Sequence, residues 1–277
     1  MLRYALACEV KSDRTMTTNS TRVPILTVRN LDTFALPVIS AAIWLILWQL
    51  AVSSFSLPSV IAPAPTQVLA ILFGPRLPEL LGNGFYTGIE AIAGFGLACL
   101  VGLALALGIA RYQRFREAVY PYLIGFQVVP KLALAPLFVL WFGIGLMSRI
   151  AFASFICFFP IVIATYTGLR SVDPTVIKMA RSVGASDTQV LYNIRVPYSV
   201  RYIFAGLRLA ATSSIIGVVI AEFISADRGL GYVILSAGAR SDTPVVVTSI
   251  VLLCALGLLL YAAVALVERV FFSRFLG

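Results

Sequence analysis

Side chains that usually carry enzyme chemistry are scarce in this chain. Its 277 residues include no histidine, which excludes metal sites and acid–base catalysis built on imidazole. The four cysteines, Cys8, Cys99, Cys157 and Cys254, lie far apart without CxxC spacing, and we interpret them as packing residues. The sequence contains no phosphate-binding loop of the Walker type, and no catalytic dyad stands out. It therefore predicts no bond chemistry, no metal and no resident cofactor.

A second set of candidates consists of polar residues inside apolar stretches. Ser213 and Ser214 follow Thr212 in such a stretch and would act either as interhelical hydrogen-bond donors or as the lining of a pore. Glu222 lies near the end of the same stretch. It would be either an interfacial carboxylate paired with a nearby arginine, Arg228 or Arg240, or a residue at the mouth of a pore. The sequence alone leaves both alternatives open for these residues.

The composition predicts that a membrane surrounds these residues. Charged residues make up only 12% of the chain, hydrophobic residues 60%, and the mean hydropathy is +0.96. No charge occurs in residues 33–75, 91–110, 150–169 or 243–267. Each window holds at least about 20 residues, and a helix of that length spans roughly 30 Å of hydrocarbon. The expected fold is an all-α integral membrane protein, because only helices and closed barrels satisfy their backbone in lipid.

Six transmembrane helices are predicted within a transmembrane domain covering 34–277, after a basic N-terminal tail at 1–33. The predicted spans are 34–52, 85–110, 120–142, 150–168, 204–225 and 245–267. Fifteen Lys and Arg residues fall on one side of these spans and four on the other, which predicts cytoplasmic N- and C-termini. We attribute the net charge of +9 to the cytoplasmic segments and expect contact with membrane lipid and not with nucleic acid.

The third predicted span contains three prolines, Pro121, Pro130 and Pro136, and we expect each to interrupt the helix. Such a span is either a kinked structural helix or a helix bent around a water-filled path. Lys131 follows the second proline. A lysine at this position must extend to the membrane surface or face a polar cavity.

A cytoplasmic loop at 170–202 is the longest polar stretch between spans and carries helix signals of its own. Asp173 precedes a proline and predicts a capped helix, which Gly184 would end. The run Ser186–Gln189 predicts a capping box that opens a second short helix, and Pro197 is expected to stop it. We call residues 173–197 the elbow. It either packs on its own bundle or docks a cytosolic partner.

The elbow sequence resembles a known family. Residues 179–186, MARSVGAS, with RVP at 195–197 and AGLR at 205–208, resemble the EAA loop of permease subunits of binding-protein-dependent ABC importers. Residues 130–145 and 221–232 resemble signatures of the nitrate/sulfonate/taurine branch.

The resemblance covers about residues 60–270 and has two departures. Lys178 replaces the glutamate usual in the EAA triplet, and Glu90 stands where the branch often has an arginine.

The resemblance implies a type I ABC importer permease fold with six transmembrane helices, in the bacterial cytoplasmic (inner) membrane. It also implies a second copy of the permease as a homodimer, two cytosolic ATP-binding subunits on the elbows, and an extracytoplasmic solute-binding protein. The chain itself would be no enzyme, because ATP would be bound and hydrolysed by the partner subunits. The solute would be nitrate, a sulfonate, taurine or a similar small organic compound.

The resemblance also implies roles for particular residues. The ATPase-coupling residues would be Val176, Ala180, Gly184, Ala185, Ser186, Leu191 and Pro197. The translocation path would include Pro130, Pro136, Ser213, Ser214 and Glu222.

Two other functions compete with the importer permease. An ATP-independent homodimeric secondary transporter would be favoured by an inverted repeat between the halves of the chain, which the sequence does not display. A membrane-embedded enzyme is disfavoured by the lack of histidine and of clustered intramembrane acids.

Overall fold

The computed structural model describes residues 32–271, with side chains from 35 to 270. Within that range every regular element is helical. The elements are α1 (Asp32–Ser54), α2 (Pro65–Leu72), α3 (Leu77–Arg111), α4 (Gln113–Val128), a 3₁₀ turn (Lys131–Leu134), α5 (Ala135–Phe142), α6 (Leu146–Arg170), α7 (Pro174–Ser182), α8 (Asp187–Val190), a π turn (Leu191–Arg195), α9 (Val196–Ser225), α10 (Leu230–Ala239) and α11 (Thr243–Phe271). The predicted basic tail and Cys8 lie outside the described residues, apart from the last two residues of the tail. The chain divides into two units after Leu47, and the packing below concerns the second.

Five helical segments of the described chain are long and apolar enough to cross a membrane. They are α1, α3, α6, the run Asp187–Ser225 and α11. Helix α4 and the segment Lys131–Phe142 pass the same test together although they meet at an angle of 98°, so the count in the described chain is six if this bent pair is one span and five if it is a re-entrant loop. The prediction of an all-α membrane protein is confirmed.

The third span is interrupted once, not at each of its three prolines. The break follows Val128, and Pro130 precedes the 3₁₀ turn. Pro121 lies within α4, which continues through it. Pro136 lies in the first turn of α5, where a backbone N–H has no intrahelical partner in any case. The expectation that all three prolines interrupt the helix was therefore wrong for two of them.

The short helix α5 is held against α6 by aromatic side chains. The ring of Phe138 lies 5.3 Å from that of Phe152 and 5.4 Å from that of Phe155, measured between centroids. Phe152 is fully buried. These edge-on and tilted contacts are favourable aromatic geometries, so the bent half of the third span is fixed to the most buried of the membrane-spanning helices.

Close backbone approach joins α3, α6 and α9 into a layer with α6 in the middle. A Cβ built on Gly94 of α3 would lie 2.7 Å from the Cβ of Ala153. A Cβ built on Gly217 of α9 would lie 2.9 Å from the Cα of the same alanine. Ala153 is fully buried. Small residues on both sides thus allow three helices to pack at one level, as expected for membrane bundles.

Candidate functional site

The elbow is built from helix caps that its own sequence supplies. The Asp173 carboxylate accepts a hydrogen bond from the Thr175 N–H at 2.7 Å, and this bond lowers the pKa of Asp173 below its ordinary value. Ser186 Oγ accepts from the Gln189 N–H at 3.3 Å, and Gln189 Oε1 accepts from the Ser186 N–H at 2.8 Å. Both predicted caps, the Asp173 cap of α7 and the capping box of α8, are confirmed.

The turn between α7 and α8 is tight and braced. Gly184 has a φ of +90°, a conformation that glycine adopts without the steric penalty of a Cβ. The Ala185 N–H donates to the Ala180 carbonyl at 3.0 Å, which closes the end of α7. Arg181 and Asp187 form an ion pair of 2.7 Å across the turn. The two short helices are therefore fixed relative to each other by backbone and side-chain bonds.

Several exposed side chains on α7 and at Val183 just after it are apolar, whereas the buried part of the elbow lies at the end of α8. Met179 is 71% and Val183 82% exposed, and Val176 is also exposed. In contrast, Val190 is buried and Leu191 is only 4% exposed. Leu191 was expected to belong to a docking surface, but its side chain is buried within its own chain. The other expected coupling residues lie wholly or partly exposed: Ala180, Gly184, Ala185, Ser186 and Pro197.

Pro197 does not end the second helix of the elbow. The chain stays helical from Asp187 to Ser225, because the π turn Leu191–Arg195 connects α8 to α9. Pro197 follows this turn and lies in the first turn of α9, where the π-helical pattern gives way to the α-helical one. The predicted stop was therefore wrong, and the elbow runs directly into the fifth membrane-crossing segment.

Glu222, on α9, caps the N-terminus of α10. Its carboxylate accepts hydrogen bonds from Thr87 Oγ1 at 2.7 Å and from the Gly231 N–H at 2.6 Å. Thr87, on α3, also accepts from the Leu230 N–H at 2.9 Å. Glu222 is 1% exposed. Carboxylates are favourable at helix N-termini, where backbone N–H groups lack partners, so three helices meet at this carboxylate.

The alternative of an interfacial pair for Glu222 was wrong, since Glu222 forms no ion pair with Arg228 or Arg240 in the described structure. Arg228 instead lies 3.5 Å from Asp227. That Glu222 belongs to the translocation path stays a prediction.

The other predicted path residues differ in accessibility. Ser213 Oγ donates to the Leu209 carbonyl at 2.8 Å, and Ser214 Oγ donates to the Ala211 carbonyl at 3.0 Å. These bonds stay within α9, so they do not join helices. Ser214 is fully buried, whereas Ser213 is partly exposed. Pro130 and Pro136 are both exposed on the surface of the chain. Their place in a path stays a prediction.

A buried ion pair between Glu90 and Arg149 was not predicted. Arg149 Nε lies 2.8 and 3.0 Å from the two carboxylate oxygens of Glu90, and Nη2 lies 2.8 Å from Oε1. Arg149 Nη1 also donates to the Ser225 carbonyl at 3.0 Å. The pair lines a cavity of about 640 Å³ together with Asp227 and Arg228. A lone acid within a predicted span was the available signal, because such a group needs a partner.

A second pair occurs between α9 and α11. Arg208 Nη1 lies 3.0 Å from Glu268 Oε2, and Glu268 is buried. Arg208 thus neutralises an acid on the neighbouring span, and each charge offsets part of the desolvation cost of the other.

Comparison with known proteins identifies relatives of the whole bundle. Residues 98–272 match the family model described as "Binding-protein-dependent transport system inner membrane component". The formylaminopyrimidine transport permease protein ThiX of Halalkalibacterium halodurans is 32% identical over 82% of this chain and 90% of that protein. The riboflavin transport system permease protein RibX of Chloroflexus aurantiacus is 32% identical over 87% and 92%. The putative aliphatic sulfonates transport permease protein SsuC of Bacillus subtilis is 33% identical over 84% of each chain.

A solved structure shares the fold. An inward-facing structure of the MetNI methionine ABC transporter superposes with a TM-score of 0.62 at 18% identity. The match covers 70% of this chain and 97% of that chain.

Proposed function

Because the chain belongs to the family of inner membrane components of binding-protein-dependent transport systems, we propose that it is the pore-forming subunit of an ATP-driven importer. The chain is a multi-pass ABC transporter permease with the type I importer fold. The proposed part concerns the energy source, the assembly and the solute.

The observation that carries the proposal is the exposed apolar face of α7. Met179 and Val183 project from a rigid, capped turn, and apolar side chains outside the bilayer indicate a surface that a partner covers. The sequence contains no phosphate-binding loop that could hold ATP. These two facts support docking of two cytosolic ATP-binding subunits, one on each elbow of a permease homodimer.

The connection between elbow and bundle supports a mechanical role. The bond from the Ala185 N–H to the Ala180 carbonyl closes the end of α7 at the turn, which supports movement of the two short helices together. The π turn joins it to α9 without a loop. In the proposed cycle, closure of the ATP-binding subunits moves the elbow, α9 follows, and the pore opens alternately to each side of the membrane. An extracytoplasmic binding protein would deliver the solute.

The proposed solute is a small organic molecule. The relatives are named for transport of formylaminopyrimidine, riboflavin and aliphatic sulfonates, which are all organic compounds. This range supports the broader form of the expectation, a small organic solute, over an inorganic ion such as nitrate. Binding assays on the extracytoplasmic partner would identify the compound.

The test is reconstitution of the chain with its ATP-binding subunit and binding protein in liposomes. Val183→Asp places a charge on the apolar face of α7 and is expected to abolish co-purification of the ATP-binding subunit and ATP-dependent uptake. Tyr112→Asp is the matched control. Tyr112 is exposed and precedes α4, where an aspartate suits the helix N-terminus. Uptake driven by a proton gradient without nucleotide would contradict the proposal and support a secondary transporter.

A further inference from the structure

Lys131 lies at the sharpest break in the membrane-spanning part of the described chain. It opens the 3₁₀ turn Lys131–Leu134 directly after Pro130. The helices on the two sides of the break meet at 98°. A break of this kind leaves backbone polar groups without the regular bonds of an α-helix.

The break lies level with the middle of the membrane-spanning helix α6. Lys131 Nζ lies 5.0 Å from the centroid of the Phe159 ring. Phe159 follows the first residue of α6, Leu146, by 13 residues and precedes its last, Arg170, by 11. At 1.5 Å of rise per residue, these offsets place Phe159 about 20 Å and about 17 Å from the two ends of α6. The ammonium group is therefore at mid-depth, too far from either surface for a lysine to reach it readily.

Other charged groups at membrane depth have partners, whereas Lys131 has no acidic one. Glu90 is paired with Arg149, and Arg208 with Glu268. Lys131 forms no ion pair with any Asp or Glu among residues 35–270, whose side chains the structure describes, and contacts the face of the Phe159 ring instead. A ring face offsets only part of the cost of keeping an ammonium group in hydrocarbon.

The exposed side of the break at Lys131 cannot face lipid. Pro130 and Ala133 are exposed on the surface of the chain, and Leu132 is 64% exposed. Irregular backbone at membrane depth is tolerated only where it is buried in protein or lines a water-filled cavity. In the single chain the break is not buried, so its exposed side must face water or a second copy across a shared path.

We infer that Lys131 is a charge-selecting residue of the translocation path, which favours a solute carrying a carboxylate, sulfonate or phosphate group. The inference rests on the proposed transport function. An unpaired cation at mid-depth raises the local concentration of anions and lowers that of cations. The solute would thus meet a positive charge at the point where the third span bends.

The test measures how fast a cysteine at the break reacts with charged probes. Ala133→Cys is introduced into the full-length chain, in its assembled complex in membrane vesicles, with the native cysteines replaced by alanine. The probes are the anionic sulfonatoethyl and the cationic trimethylammonioethyl methanethiosulfonates. A unit charge about 6 Å from the thiol in water changes each rate roughly threefold in opposite directions, so the anion-to-cation rate ratio should be about tenfold higher with Lys131 than with Lys131→Gln.

Two further variants distinguish a charge-selecting role of Lys131 from a purely structural one. Lys131→Arg is expected to retain the high ratio, because it keeps the charge. Phe159→Leu removes the aromatic ring but not the charge, and should also retain it. An equal ratio in the lysine and glutamine chains would overturn the inference. So would an equal loss of ratio in Lys131→Gln and Phe159→Leu, or a lack of reaction with both probes with and without ATP.

The same vesicles distinguish a failure of this inference from a failure of the proposed function. ATP-dependent uptake is measured in parallel with the chain that keeps Lys131. Loss of nucleotide dependence there would refute the proposed function, while the labelling rates would still report whether Lys131 sets the charge of the path.

Discussion

Arg149 on α6 and Glu90 on α3 form a two-pronged ion pair in the interior of the bundle, with Nε and Nη2 both 2.8 Å from Oε1. The two side chains are 6% and 4% exposed. Charges this deeply buried are stable only while both are present, because each neutralises the desolvation cost of the other. The third contact, from Arg149 to the Ser225 carbonyl, extends the link to α9.

Removing one member of this pair should destabilise the protein strongly. Arg149→Met leaves the Glu90 carboxylate buried and unpaired, and we expect the free energy of unfolding to fall by about 3–5 kcal/mol. The double variant Glu90→Met/Arg149→Met should recover most of that loss, because neither charge remains. Thermal unfolding in detergent measures both effects.

Arg76→Met is the control for this comparison. Arg76 pairs with Asp242 at 2.9 Å, but the two side chains are 58% and 34% exposed. Exposed pairs contribute about 1 kcal/mol or less. A loss in Arg76→Met as large as in Arg149→Met would show that burial is not the cause.

The close contact between α3 and α6 predicts opposite effects at two neighbouring glycines. Gly94→Ala would force a methyl group against Ala153, and overpacking of this kind costs about 1–3 kcal/mol. A Cβ on Gly96 meets no atom within 4 Å, so Gly96→Ala should leave stability unchanged or raise it by up to about 1 kcal/mol. The unfolding temperatures of the two variants are measured side by side. An equal change in both would contradict the close contact at Gly94.

Features fixed by neighbouring residues could be predicted from sequence, whereas those fixed by distant residues could not. The cap at Asp173 and the box from Ser186 to Gln189 depend on contacts within three residues. Glu90 and Arg149 are 59 positions apart, and Thr87 and Glu222 are 135 apart. No local pattern specifies such pairs, because they arise only when the helices pack.

The two errors in the elbow have a common physical cause. Leu191 and Pro197 were interpreted as parts of a separate short helix with a stop. The π turn over Leu191–Arg195 keeps the chain helical into α9, and Leu191 at its start is buried beside Val190. A π turn inserts an extra residue into the helical ladder, and the usual signals of helix ends do not reveal it.

Gly184 should be sensitive to charge as well as to backbone conformation. Gly184→Asp is expected to lower ATP-dependent uptake at least roughly tenfold, because a charge then faces the proposed partner at the turn. Gly184→Asn is a nearly isosteric control, since both residues tolerate a positive φ comparably well. Uptake in proteoliposomes and co-purification of the ATP-binding subunit are measured for both. Wild-type uptake by the aspartate variant would refute the assignment of the elbow.

The N-cap of α7 should weaken in acid. The hydrogen bond from the Thr175 N–H lowers the pKa of Asp173 in the folded chain. Its stabilising contribution is therefore complete above the unfolded pKa of about 3.9 and is lost as the pH falls through the lower folded value. Hydrogen exchange at the Thr175 amide, followed from pH 5 downward and corrected for intrinsic rates, should show falling protection. Asp173→Asn should show a cap without this pH dependence, and a similar acid response in that variant would assign the effect to another group.

The unbroken helical run from Asp187 to Ser225 has a mechanical consequence. Its 39 residues make a rod about 58 Å long, with the elbow at one end and Glu222 near the other. Since Glu222 binds the first turn of α10 and Thr87 of α3, tilting the rod at its cytoplasmic end would pull directly on the opposite face of the membrane. A displacement of the elbow would thus reach the Glu222 carboxylate through one continuous helical run.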